Sequence, residues 1–298
     1  MTEDKLKACD YVAAFIDVLG QAEKLSKFTK LPNISNEKIY KEFIETCKQT
    51  VGTVAGIQEH IETFFDAAKR RSAISHSPEP ISQTVEDLTK VHVTFQKFSD
   101  GLLIYVPVAE DVVSVPMIGI HSMLIACGCV CLTSLAAHCP IRCGIDLGWG
   151  LEQAPGELYG SAVSSSYYLE SKVCQYPRVV VGPELEAYLQ YNMTNTDKSI
   201  SGQMAKACAE ICWDMLIADD DGYPMVDFLR LSLIEENNRN TLREAIVKAY
   251  AFVLAQSAIH KEKRSTKLAF RYSQLRSYFD HRVQDWGITQ DEAERAYE

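Results

Sequence analysis

Apolar runs rich in β-branched and aromatic residues alternate along the chain with longer stretches whose apolar positions recur every three or four residues, which predicts a mixed sheet covered by helices. Residues 11–18 predict the first strand. Across 37–71 the apolar residues Ile39, Phe43, Ile44, Cys47, Val51, Val54, Ile57, Ile61, Phe64 and Phe65 fall at helical spacing, and two helices are expected before the second strand. Residues 72–83 are rich in Ser and Pro and read as a loop. The β-prone runs 91–98 and 102–108 are separated by Ser99-Asp100-Gly101, which predicts a hairpin. A helix at 116–138, a strand at 141–147, a Gly-bearing stretch to Gly160, a helix at 162–174 and a strand at 178–181 follow. The runs 211–217 and 225–231 flank an Asp-Gly turn and predict a second hairpin. From Ile234 onward the pattern is helical and polar. With no internal repeat, low-complexity segment or long linker, the expected organisation is one core with a helical C-terminal tail.

One stretch tests this reading, because 112–141 contains no Asp, Glu, Lys or Arg and exceeds the roughly 20 residues that a spanning helix needs. Pro116, Gly119, His121, Ser122, Gly128, Thr133 and Ser134 interrupt it, and Met117, Ile120, Leu124, Ile125, Val130, Leu132 and Leu135 suit a helix packed inside a protein. A buried helix is therefore expected, with no stable membrane span. Composition agrees: among 298 residues, 47% are hydrophobic and 23% charged, an ordinary globular balance. The 40 acidic residues outnumber the 30 basic ones, a net charge of −10 that argues against a general nucleic-acid binder, since that task needs Lys and Arg against phosphates. A small anionic ligand in a local basic pocket stays allowed. The ten cysteines are spread through a chain whose opening, MTEDKLKACD, is of mixed charge, so the thiols read as reduced and the expected location is the cytoplasm.

Two carboxylates stand out. Asp17 ends an otherwise apolar strand in FIDVLG, and Asp100 sits at the hairpin tip in KFSDGLLIY. A carboxylate among residues that ought to be buried costs several kcal/mol unless it is paired or bound to a cation. A strand end and a neighbouring turn that each deliver one suit hard divalent cations shared with substrate phosphates. Asp100 is served equally by a plain turn role. No GxSxG, Walker A loop or HExxH motif is present, so no nucleophile or zinc-protease chemistry is indicated. Cys127, Cys129 and Cys131 with Cys139 and Cys143 lack zinc-ligand spacing and read as inert buried thiols, and His121 and His138 as ordinary core or surface histidines. Asp146 is a further carboxylate on the strand after Pro140, able to face either the metal region or outward.

FIDVLG, FSDGLLI, IRCGIDLG and ELYGSAVSSSYYLE occur in that order, and over residues 9–231 the chain resembles the class III nucleotide cyclase catalytic domain. YPRVVVGPEL, DDDGYPMVDFL and a helical tail ending in FRYSQLRSYF make it most similar to the bacterial pyrimidine cyclases of Pycsar antiphage defence. The resemblance implies an α+β, ferredoxin-like palm, with residues 232–298 as a helical extension packed on it. It implies two divalent metal ions, Mg²⁺ or Mn²⁺, held by Asp17, Asp100 and the carbonyl of Val18. It places Arg142 on the terminal phosphates, and Glu157 with Gln96 or Lys97 at the base edge. It also implies a homodimer with sites at the subunit interface. In the motif fGxxVNxAxRLE this chain departs twice: Ser164 stands for the asparagine that orients the ribose, and Tyr168 for the arginine that stabilises the transition state. Arg178 and the basic tail cluster Lys261, Lys263, Arg264, Lys267, Arg271 and Arg276 are candidate replacement cations, although the cluster reads first as a solvated helix face.

The implied reaction converts a nucleoside triphosphate into a 3′,5′-cyclic monophosphate and pyrophosphate. UTP giving cyclic UMP is favoured, CTP next and a purine third, the product being a second messenger read by a separate effector. Alternatives are a catalytically silent palm that binds nucleotides or scaffolds a partner, and a polymerase-like palm, against which the acidic balance argues.

Overall fold

The computed structural model describes residues 8–75, 91–108, 115–154, 156–230 and 239–297. Strand β1 (Ala8–Val18) lies at the centre of the sheet, with side chains that alternate between two covers. Val12, Ala14, Ile16 and Val18 enter the main apolar cluster, whereas Tyr11 and Ala13 join a second, smaller one with Leu103, Tyr105, Leu158 and Ala162. Asp17 is the next residue in the second series, at the point where that cover ends.

Strands β2 (Thr94–Phe98) and β3 (Gly101–Pro107) form the predicted hairpin, and β4 (Ile141–Ala154) runs along the other side of β1. The order β2-β3-β1-β4 is antiparallel throughout, with helices between β1 and β2 and between β3 and β4, which is the ferredoxin-like βαββαβ arrangement. Beyond it, β6 (Val179–Val181) pairs parallel to β4, and β8 (Pro224–Val226) and β7 (Leu216–Ala218) close the edge. The fold is α+β, a mostly antiparallel mixed sheet covered by helices.

The first interval holds two helices of unequal length, α1 (Gln21–Ser26) and α2 (Glu37–Ser75), the latter running four residues past Arg71. The expected loop at 72–83 lies largely outside the described residues. Helix α2 is buried through Val54, Ile57, Ile61 and Phe65, while Ile39 and Val51, counted in its apolar face, lie exposed. Helix α3 (Pro116–Ala136) has Pro in its first turn and is apolar on all sides, as a helix covered all round must be. It is long and apolar enough to cross a membrane, and 89% of its apolar window is buried against the rest of the chain.

Three expectations change. Strand β4 extends to Ala154 and turns back into β5 (Glu157–Gly160), so the Gly-bearing stretch is a hairpin arm. Residues 211–214 end helix α6 (Ile200–Asp214) and are not strand: Ser199 accepts the Gly202 amide at 3.0 Å, and Met204, Cys208, Ala209 and Cys212 repeat at helical spacing on its buried face. Arg178 is 1% exposed and clamped by Asp219 and Asp221 over the Tyr176 ring, where it ties β6 to the β7–β8 turn and is unavailable to a substrate.

Helix α4 (Ser161–Tyr168) continues into a π-helical turn (Leu169–Val173), and α5 (Pro183–Met193) follows β6. Asp146 is buried beneath α5, where it accepts the Leu185 amide at 3.0 Å and caps the helix from below. In the tail, α7 (Arg239–Glu262) packs on α3, and α8 (Thr266–Arg282) and α9 (Gln290–Tyr297) pack on α7. Tail residues Ile246, Val253 and Phe279 belong to the same apolar cluster as the strands.

Gly144 on β4 lets the α4 segment approach the sheet: a Cβ there would lie 2.5 Å from both the Glu170 amide nitrogen and the Ser166 carbonyl oxygen. We expect Gly144→Ala to lower unfolding free energy by about 2 kcal/mol or more in urea titration, because backbone must move to admit one methyl group.

Candidate functional site

Sheet register assembles the site. Asp17 lies opposite Gly101 on β3 and opposite Arg142 on β4, so the residue after the hairpin tip flanks it on one side and an arginine on the other. The tip is a tight turn in which Ser99 takes a left-handed φ of 47°, leaving Asp100 beside the end of β1. Asp17, Asp100 and Arg142 line one cavity of about 510 Å³, walled on its other side by Phe15, Phe98 and Tyr167. Phe15 meets Tyr167 edge to face with centres 5.1 Å apart and lies tilted against Phe98 at 5.7 Å.

The cavity also contains a residue that the pattern analysis did not select. Glu170, only 2% exposed, sits 2.7 Å from the Arg142 guanidinium, which also donates to Asp17 Oδ2 at 2.8 Å and, more weakly, to the Cys174 carbonyl at 3.4 Å. One guanidinium thus bridges a carboxylate of β1 and a carboxylate of the π turn. Burial pushes the Glu170 carboxyl up to about 7; Arg142 opposes the shift, and Asp17 and Asp100 add to it. Burial works against the Arg142 charge, but its bond to Asp17 and the nearby Glu170 raise its pKa overall. A signal for Glu170 exists in the sequence: Ala162, Ser166 and Glu170 recur every four residues and are all buried, so a charged residue falls on the inward face of a helix.

The other candidate residues lie in two further places. Gln96 accepts the Leu158 amide at 3.1 Å, which brings it next to exposed Glu157 on β5, while exposed Lys97 points to the opposite face of β2. Ser164 and Tyr168 line a separate cavity of about 290 Å³ with Asp146 and Tyr223. The Ser164 hydroxyl donates to the Gly160 carbonyl at 3.1 Å, and Tyr168 is 55% exposed. Asp146 therefore caps a helix beside this second cavity and does not reach the Asp17 cavity. The Val18 side chain is buried in the core, which leaves its backbone as the part able to serve the site.

Among the described residues, no group of three or more His, Cys, Asp or Glu is arranged to hold a metal ion by itself. Asp17 and Asp100 in one cavity, beside a Glu170 that is spent with Asp17 on the Arg142 guanidinium, are a donor set that fits a hard divalent cation taking its remaining ligands from phosphate and water. The ten cysteines are free, and burial pushes the Cys129 thiol up to about 12, consistent with inert thiols. His138 stacks on Phe252 and Tyr297 as a packing residue.

No protein-family model and no curated protein matches the chain. Among solved structures it is similar to the guanylyl cyclase domain of the RhoGC fusion protein from the aquatic fungus Blastocladiella emersonii, studied as a monomeric double mutant, with 13% identity and a TM-score of 0.39 over 63% of this chain and 87% of that one. It is also similar to a bacterial light-regulated adenylyl cyclase, with 12% identity and a TM-score of 0.32 over 62% of this chain and 46% of that one.

Glu170 holds its proton more tightly in the folded chain, with a pKa of about 7, than at the ordinary 4.5 of the unfolded chain. Folding therefore takes up protons between these values, so its contribution to stability is fully present below pH 4.5 and is lost as pH rises through about 7. Urea titrations at stepped pH are expected to show this decline in the wild type and a flatter profile in Glu170→Gln.

Proposed function

We propose that the chain is a nucleotidyl cyclase that converts a nucleoside triphosphate into a 3′,5′-cyclic monophosphate and pyrophosphate. The observation that carries the reading is the shared cavity of Asp17, Asp100 and Arg142 at the end of the central strand of a ferredoxin-like palm. In the reaction the ribose 3′ oxygen forms a bond to the α-phosphorus, the bond to the β-phosphate oxygen breaks, and the hydroxyl proton leaves to solvent or pyrophosphate. Asp17 and Asp100, with the Val18 carbonyl, would hold Mg²⁺ or Mn²⁺, which when bound lowers the pKa of the hydroxyl and neutralises phosphate charge. Arg142 supplies a guanidinium fork to the phosphates, and Glu170 fixes its direction. Chemistry of this kind depends on positioning and charge stabilisation.

The partition of residues supports a two-chain site. Ser164 and Tyr168 face a different cavity from Asp17, and Trp149, Tyr159, Tyr167 and Tyr168 are each more than half exposed around them. A homodimer that sets one chain's Asp17 cavity against its partner's Ser164 cavity brings both halves to one substrate. In this reading residues 9–231 are the catalytic domain and 232–298 an extension. The favoured substrate is UTP, then CTP, then a purine triphosphate, with the base met by Glu157 and Gln96. Cyclic UMP would serve as a cytoplasmic second messenger in antiphage defence, read by a separate effector. This assignment of base and role rests on the sequence resemblance.

A second reading, a silent nucleotide-binding palm, is favoured by Tyr168 in place of an arginine and by the Ser164 hydroxyl being spent on its own helix. One experiment separates the two. The protein is incubated with Mg²⁺ or Mn²⁺ and equimolar ATP, GTP, CTP and UTP, and products are identified by mass spectrometry. We expect one cyclic pyrimidine monophosphate, lowered at least about a hundredfold in Asp17→Asn and Asp100→Asn. Triphosphate binding without any cyclic product under either metal establishes the silent palm.

A further inference from the structure

Several arginines of the described structure are held by carboxylates: Arg142 by Asp17 and Glu170, Arg178 by Asp219 and Asp221, Arg243 by Glu292, Arg276 by Asp280 and Arg282 by Asp227. Arg271, in the second turn of α8, is not among them. It is partly buried, its guanidinium reaches only the side-chain amide oxygen of Gln175, at 3.4 Å, and among the described residues it forms no ion pair.

Its charged neighbour is another cation. Arg142 donates to the carbonyl of Cys174, and Arg271 to the side chain of the next residue, Gln175, so consecutive residues hold the two guanidinium groups on one side of the site. Burial first, and the Arg142 charge second, lower the Arg271 pKa. Asp17 and Glu170 already balance the Arg142 charge, so the charge left unbalanced in this partly desolvated place is that of Arg271, which a bound anion would offset. Exposed Lys263, Arg264 and Lys267 add positive charge at the start of the same helix, in a chain whose net charge is −10. Arg142, in turn, lines the cavity that holds Asp17 and Asp100.

We propose that Arg271 is a second phosphate-binding residue, which joins Arg142 in gripping the terminal phosphates of a nucleoside triphosphate and so makes the C-terminal helical extension part of the substrate site. The identity of the ligand rests on the cyclase reading; the choice of a polyphosphate anion rests on the unpaired Arg271 guanidinium beside Arg142 and on the exposed basic residues at the start of α8. Guanidinium forks match phosphate oxygens in pairs, and a lysine at the same place offers only a point charge.

Inorganic tripolyphosphate is the probe, titrated calorimetrically into the full chain and into Arg271→Ala, Arg271→Lys and Lys206→Ala, the last removing one exposed charge from α6. We expect Arg271→Ala to bind about tenfold or more weakly, Arg271→Lys to fall between, and Lys206→Ala to match the wild type. In turnover assays Arg271→Ala is expected to raise KM for the triphosphate, with an unchanged melting temperature as evidence of intact folding. If Arg271→Ala does not fold, the Arg271→Lys titration decides. Unchanged tripolyphosphate affinity in the folded variants, or no binding by the wild type, overturns the proposal. Arg271-dependent binding without any cyclic product leaves Arg271 assigned and overturns the cyclase reading instead.

Discussion

The Arg142 guanidinium, held between Asp17 and Glu170 at the end of the central strand, is the interaction on which the candidate site depends. Three separate pieces of the fold must agree for it to form. The β1–β4 register sets Arg142 opposite Asp17, the π turn after α4 presents Glu170, and Gly144 removes the Cβ that would hold the two layers apart. A charge in a partly buried place is tolerated when it is paired, so this triad stabilises itself while keeping Asp17 partly open to the cavity. Removing Glu170 would leave the guanidinium free to settle wholly on Asp17.

The same strand divides the protein into two bodies of apolar contact. One face of β1 is buried under α2 and α3, and the other under α4 and the β5 arm. Because successive side chains alternate, a carboxylate placed one residue earlier or later would fall into the main core, where an unpaired charge is costly. Asp17 escapes this because it extends the series of Tyr11, Ala13 and Phe15 to the edge of the cover. The site is therefore a boundary feature, set where the thinner of the two layers ends.

The tail contributes to that boundary. Helix α3 is apolar on every side and needs a second cover, which α7 provides, and α8 then packs on α7. Once α8 is fixed in this way, Arg271 is held beside Gln175 on the outer side of Arg142. A packing requirement in the core thus places a cation on Gln175, one residue from the carbonyl that Arg142 bonds.

Much of this was legible in the chain of residues. The alternation in residues 11–18, the β-prone runs on either side of Ser99-Asp100-Gly101, and the helical spacing of 116–138 carry the palm in local pattern, because period-two and period-3.6 burial are written in neighbouring residues. Asp17 and Asp100 stood out as carboxylates in apolar surroundings. Sequence by itself did not separate residues 211–217 into helix and strand, since their apolar character suits both and only packing of Cys208 and Cys212 chose. Nor did it show that Arg178 is spent on Asp219 and Asp221, that Asp146 caps α5, that Glu170 meets Arg142, or that Arg271 meets Gln175. Those contacts join residues from 28 to 96 positions apart, and a pairing at such separation depends on strand register and on which helix faces inward, which only the tertiary structure decides.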